Sequence, residues 1–251
     1  MGHVIATAGK GGTGKTTVAS LVIRHLLRLG QRPILAIDAD ANDNLGEGIG
    51  MKKEGSIAAV TDDFFRKRNS LPESMTKEAY LEQRLNTVVS EGKDIDMLVM
   101  GHPEGAGCYC YINNVLRAQL EKMVSNYPYV VVDNEAGLEH VSRRTTRKVD
   151  TMIMVADFSA KSIRAASRVR EVVQELELEV GRLGLVVNRA PGDTAPLQDA
   201  IAQSGLELWG VLPASDAVTE NDARGQSVFQ LSDDDPLVAE AGGLVERLFK
   251  Q

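Results

Sequence analysis

Residues 3–17 read HVIATAGKGGTGKTT, and this stretch decides the fold. A short run with strand character leads straight into Gly9-Lys10-Gly11-Gly12-Thr13-Gly14-Lys15-Thr16-Thr17, which fits the pattern G-x-x-x-x-G-K-[ST] with a helical pattern after it. Glycines let such a backbone wrap closely enough for several N–H groups to face one phosphate. The following helix points the positive end of its dipole at the same place. In that arrangement Lys15 neutralises the β- and γ-phosphates and Thr16 offers its hydroxyl to Mg2+. Gly11, Gly12, Thr13, Gly14, Lys15, Thr16 and Thr17 are therefore the expected nucleotide contacts. A glycine-rich turn with accidental spacing is the alternative, and the elements on both sides argue against it.

Outward from this loop, short β-branched apolar runs alternate with helical patterns. Strands are predicted at 3–8, 33–38, 95–101, 129–133, 151–156, 182–188 and 207–212. Helices are predicted at 15–29, 75–87, 112–126, 160–177, 194–204 and 235–249, where apolar residues recur every three or four positions. That alternation implies a parallel sheet covered by helices. The expected fold is thus α/β, of the P-loop NTPase type: a mostly parallel twisted sheet with helices on both faces, forming a single domain over 1–251. Segment 52–92 is the least regular and most charged, and reads as surface helices inserted between two strands.

Composition narrows the partners. With 251 residues, 43% of them hydrophobic and 25% charged, the chain can bury a full core without a disulfide or a structural metal. A net charge of -7 argues against non-specific binding to nucleic acid or to an anionic membrane. No apolar run approaches the ~18–20 residues that span a bilayer, and no export signal is evident, so a cytoplasmic location is expected. Thiols stay reduced there, and a cysteine pair is more often metal-binding or catalytic than a bridge.

Carboxylates follow the next strands. The second ends in Asp38-Ala39-Asp40-Ala41-Asn42-Asp43, at the carboxyl edge where parallel sheets bind ligands. An Asx-rich turn capping backbone groups is the competing reading, and Asp43 is left to it. Val130-Val131-Val132-Asp133 ends with an aspartate suited to hold Mg2+ through water.

Lys10 departs from a generic phosphate loop. In KGGxGKTT form the stretch resembles the deviant Walker A family, which includes the nitrogenase iron protein, the septum-site ATPase MinD and the ParA partition ATPases. The resemblance implies a homodimer sandwiching two ATP molecules, with Lys10 of each copy reaching the other's nucleotide. It also implies that Asp40 orients the attacking water, while Asp38 braces the loop or the magnesium shell. Asn134-Glu135-Ala136-Gly137-Leu138-Glu139-His140 resembles the family's second switch. Val187-Asn188-Arg189 and the segment from Gly210 through Pro213 to Asp216 resemble its base-binding loops. Asn188 would bond the adenine edge, with Arg189 and the Pro213 loop on its faces.

Residues 107–111, Gly-Cys-Tyr-Cys-Tyr, hold both cysteines of the chain. One spacer residue in extended backbone turns Cys108 and Cys110 to the same side, so both thiolates can share an ion. A tetrahedral soft metal wants four ligands, and a twofold homodimer supplies two pairs. Zn2+, Ni2+, Cu(I) or an iron–sulfur cluster would suit such a site. A strained Cys-x-Cys disulfide, two buried structural cysteines and a 4Fe–4S cluster are the competing readings. From the phosphate loop through Gly-Cys-Tyr-Cys, AGLEH and the VADFSAKSIRAA stretch at 155–166, the chain resembles the CooC family of nickel-inserting ATPases. That resemblance implies that Cys108 and Cys110 bind metal between subunits. It implies an ATPase that serves a client nickel enzyme, carbon monoxide dehydrogenase or acetyl-CoA synthase. His102 and Tyr109 lie near enough to assist, and His140 is a sensor or ligand candidate, without an assigned role. A membrane- or DNA-positioning ATPase and an electron-transfer ATPase are the alternatives.

Overall fold

The computed structural model describes residues 2–40, 42–68, 70–72, 74–101, 110–135, 148–175 and 178–249, with backbone alone at 110–113 and 174. Seven strands among them form one sheet: β1 (His3–Ala8), β2 (Ile34–Ala39), β3 (Ile95–Val99), β4 (Tyr129–Asn134), β5 (Lys148–Asp157), β6 (Glu179–Ala190) and β7 (Glu207–Pro213). Their order is β3-β2-β4-β1-β5-β6-β7, and every strand pair is parallel. The helices are α1 (Lys15–Arg28), α2 (Leu45–Ile49), α3 (Ile57–Lys67), α4 (Lys77–Asn86), α5 (Cys110–Val124), α6 (Ala160–Glu175), α7 (Gln198–Ser204), α8 (Asp216–Ala223) and α9 (Pro236–Phe249). Short 3-10 turns at Ala195–Leu197 and Val228–Gln230 complete the described elements.

Strand sequences explain the layering. Neighbouring strand residues face opposite ways, so a strand covered on both sides must be apolar throughout. Val130 and Val132 of β4 enter the core shared with α3, α4, α5, α6 and α7. Val131 enters the other core, with α1, α2 and α9. The 52–92 segment does supply helices between β2 and β3, but they are not merely superficial. Ile57, Val60 and Phe64 of α3 and Tyr80, Leu81 and Leu85 of α4 are buried in the first core. Ser56 and Thr76 cap these two helices by accepting from the N–H groups of Ala59 and Ala79, each cap contributing about 1 kcal/mol.

The sheet order positions the site. From β1 the chain crosses through α1 to β2 on one side, then from β4 it crosses β1 to β5 on the other. A crevice opens outside the strand ends where such a sheet reverses direction. The ends of β1, β2 and β4 meet there, and they carry the phosphate loop, Asp38 with Asp40, and Asp133 with Asn134.

Candidate functional site: a phosphate cradle at the ends of β1, β2 and β4

Backbone conformation comes first. Gly9 has φ 146° and lies so close to β5 that a Cβ would stand 2.2 Å from the Val155 carbonyl oxygen. Gly14 has φ 88°, and its Cβ would stand 2.3 Å from Nδ2 of Asn188. Only glycine accepts either position. Gly14 also opens α1 without any side-chain cap, leaving the first-turn N–H groups aimed at the crevice for an anion.

Within the loop, Thr13 is buried and its hydroxyl donates to the Lys10 carbonyl at 2.9 Å. Lys15 is 6% exposed, with its ammonium 3.4 Å from the same carbonyl. One carbonyl thus holds both groups within the loop. The Lys10 side chain is exposed at the rim.

One rung of the sheet carries the polar groups beneath. Thr7, Asp133 and Asp38 are register partners on β1, β4 and β2. Asp133 accepts the Thr7 hydroxyl at 2.9 Å and the Thr16 hydroxyl at 2.6 Å. Burial pushes its carboxyl up to about 6, with the Asp40 charge adding to the rise; the Thr16 and Thr7 hydroxyls and the Lys15 ammonium oppose it. Asp38 accepts the backbone N–H of Asp40 at 3.0 Å and of Leu45 at 2.8 Å. Burial raises it to about 7, against the pull of those two N–H groups, and neighbouring Asp133 adds to the rise. Asp38 therefore braces the turn that presents Asp40.

Asp40 is half-buried at the rim. Its Oδ1 accepts the backbone and side-chain N–H groups of Asn42 at 2.9 and 2.8 Å. It thus caps a turn, as the competing sequence reading required, while its Oδ2 has no hydrogen-bond partner among the described residues. Asp43 differs from that reading: at φ 53° it pairs with Lys53 at 2.5 Å instead of capping the backbone.

At the ends of β6 and β7, Asn188 donates to the Thr13 carbonyl at 2.9 Å and Arg189 to the Gly12 carbonyl at 3.0 Å. Pro213 ends β7 in register with Ala190. A cavity of about 250 Å³ opens beside the start of α1, lined by Thr16, Thr17, Glu47, Gly48, Asp222 and Gln226. A larger one of about 490 Å³ lies beside Pro33 and Tyr127, at the other edge of the sheet and away from the loop.

The donors fit magnesium: a hydroxyl oxygen and a carboxylate oxygen are the hard ligands this ion prefers. Among the described residues, no group of three or more His, Cys, Asp or Glu is gathered as a metal site. Cys108, Tyr109, His102, Gly137 and His140 lie outside the described residues, and Cys110 is described by its backbone alone, at the start of α5. Sequence reasoning missed Thr7 and gave Asn134 no task of its own within the second-switch segment; a threonine two residues before the loop was the available signal for Thr7.

Residues 4–228 match the family model described as the CobQ/CobB/MinD/ParA nucleotide binding domain. An uncharacterised ATP-binding protein of Methanocaldococcus jannaschii is 36% identical over 251 residues, covering 99% of both chains. The carbon monoxide dehydrogenase accessory protein CooC of Rhodospirillum rubrum is 28% identical over 241 residues, 91% of this chain and 90% of that one. Among solved structures, a ParA-family ATPase from Chlorobium tepidum is similar with a TM-score of 0.73 at 21% identity, over 98% of each chain; this likeness speaks for the fold.

Proposed function

The chain belongs to the CobQ/CobB/MinD/ParA nucleotide-binding family of P-loop ATPases, and from that premise we propose that it is a magnesium-dependent ATPase working as a metallochaperone. In this reading one domain binds ATP, pairs with a second copy, and holds Ni2+ or Zn2+ through Cys108 and Cys110 of both copies. The metal goes to a client nickel enzyme, carbon monoxide dehydrogenase or acetyl-CoA synthase. The observation that carries the ATPase part is the hydrogen bond from Thr16 to buried Asp133, with buried Lys15 in the same loop, at an uncapped helix start. The Cys-x-Cys sequence supports the metal part, together with the likeness to the Rhodospirillum rubrum accessory protein.

Each residue has a task. The α1 N–H groups and Lys15 bind the β- and γ-phosphates, while Thr16 and Asp133 would hold Mg2+, which would supply positive charge against the triphosphate. Asp40 uses its uncommitted Oδ2 to orient a water molecule toward the γ-phosphorus. The water oxygen forms the new P–O bond as the bond to the β-phosphate oxygen breaks, and the water's protons end on phosphate and solvent. Lys10, exposed at the rim, would reach the nucleotide of a facing copy. The oxygen of the Asn188 amide accepts from the adenine amino group, beside Arg189 and Pro213. ATP controls metal handling only if it binds the closed dimer more tightly than the open one.

The positioning-ATPase alternative needs a free amphipathic surface. In α9, Leu237, Val238, Ala241, Leu244, Val245 and Phe249 are all buried in the core, so that face is already used. Among the described residues no helix is long and apolar enough to cross a membrane.

Anaerobic titration with Ni2+ and Zn2+, in ADP and in ATP, with mass measured alongside, tests the proposal. One ion per two chains is expected with ATP, and replacing both Cys108 and Cys110 by serine should abolish metal binding while leaving nucleotide binding intact. Metal binding unchanged by the serine replacements would overturn the chaperone reading, and ATP-dependent pelleting with liposomes or DNA would favour the positioning one.

A further inference from the structure

Asn134 follows Asp133 at the carboxyl end of β4, in register with Ala39 of β2. It is 0% exposed. Its Nδ2 donates to the Thr7 carbonyl at 2.8 Å. Because a carbonyl can only accept, this bond fixes which arm of the amide is nitrogen and which is oxygen. The other arm, Oδ1, is buried and has no hydrogen-bond partner among the described residues.

The neighbouring residue does the complementary task from the other side of the sheet. Asp133 accepts the Thr7 hydroxyl at 2.9 Å, on the face that Val131 shares. Asn134 lies on the face of Val130 and Val132. Thr7 is therefore gripped through its side chain by one residue and through its backbone by the next, just before the loop begins at Gly9. A buried acceptor left unpaired is costly, and native interiors rarely keep one without a use for it.

We propose that Asn134 is a positioning residue for ATP hydrolysis. Its Nδ2 fixes the start of the phosphate loop relative to Asp133, and its Oδ1 accepts a backbone N–H that swings into reach once triphosphate has drawn the strand ends together. A bond made with triphosphate bound and not made without it favours the bound state. Asn134 itself does not touch nucleotide. The inference rests on the ATPase reading above.

Three variants test it, with kcat and KM for ATP measured beside melting temperature with and without Mg2+ and a non-hydrolysable ATP analogue. Asn134→Leu keeps the volume and removes both arms. It should melt no lower than the parent when empty, yet show a smaller nucleotide-induced rise in melting temperature and about tenfold lower kcat/KM. Asn134→Asp keeps acceptor oxygens and loses the donor; it should regain part of the nucleotide-induced rise but not the parental kcat/KM. A purely structural residue would lower melting in both states and leave the nucleotide-induced rise unchanged, and that result overturns the proposal. If the leucine variant fails to fold, parental kcat/KM in Asn134→Asp overturns it equally. Lys15→Ala, run in parallel, separates the two claims. Hydrolysis persisting in Lys15→Ala defeats the ATPase reading itself, whereas its loss beside an unaffected Asn134→Leu defeats only the role given to Asn134.

Discussion

At the phosphate end of the crevice, Thr16 and Thr7 already hold Asp133 at 2.6 and 2.9 Å, and Lys15 is folded into the cradle. At the base end, Asn188 and Arg189 reach back onto the carbonyls of Thr13 and Gly12. The first end is built around a buried carboxylate, Asp133, and a buried lysine, Lys15, each held by a neighbouring group. The second is a pair of loop residues leaning on the first, with Arg189 exposed and at φ 56°. Chemistry is therefore expected to depend on the phosphate end, and choice of base on the other. Preorganised polar groups accelerate a reaction because they need no rearrangement as charge develops.

Replacing the rim carboxylate separates the two ends most sharply. Asp40→Asn should lower kcat by about 100- to 1000-fold while ATP affinity stays within about threefold of the parent. Rapid-quench turnover beside equilibrium binding measures both. Equal turnover in the variant and the parent would remove Asp40 from the mechanism.

A smaller effect is expected from the base end. Asn188→Ala should raise KM for ATP about tenfold and shrink the preference for ATP over GTP, with kcat little changed. Competition between the two nucleotides reads this directly. A drop in kcat as large as that of Asp40→Asn would mean that Asn188 acts chiefly through the phosphate loop, and the division between the ends would dissolve.

Much of this layout was legible because it is local in sequence. The loop 9–17 and the apolar strands depend on neighbouring residues, and the predicted strands match β1 to β7 within a few residues at each end. β5 and β6 begin earlier than expected, since Lys148 and Glu179 look unlike strand residues until they are paired with each other across the two strands. α2 was invisible because its sequence, LGEGI, has two weak helix formers. It is held from outside, by Asp38 accepting the Leu45 N–H and by the Ser227 hydroxyl donating to the Gly48 carbonyl. α8 buries none of its residues and so lacks an apolar stripe. The links from Thr7 to Asp133 and from Asn134 to Thr7 join residues more than a hundred positions apart, which no local pattern reveals. The motif between β3 and α5 is legible only as sequence, since Cys108 lies outside the described residues.

The smallest predicted effect bears on the heart of the account: that buried Asp133 is the carboxylate of a magnesium–nucleotide site. Burial holds Asp133 up to about 6 and Asp38 up to about 7, above an ordinary aspartate near ~3.9. The folded state therefore binds more protons than the unfolded one in the window between, and stability from these groups falls as pH rises through it. Magnesium requires Asp133 ionised, so nucleotide affinity should move the opposite way, rising with pH and levelling above about 6. Calorimetric titration of Mg–ADP between about pH 5 and pH 8, at saturating magnesium, measures this in the parent and in Asp133→Asn. The account predicts that the parent loses about fivefold more affinity than the variant between pH 6 and pH 5. Identical pH profiles for the two proteins would contradict it.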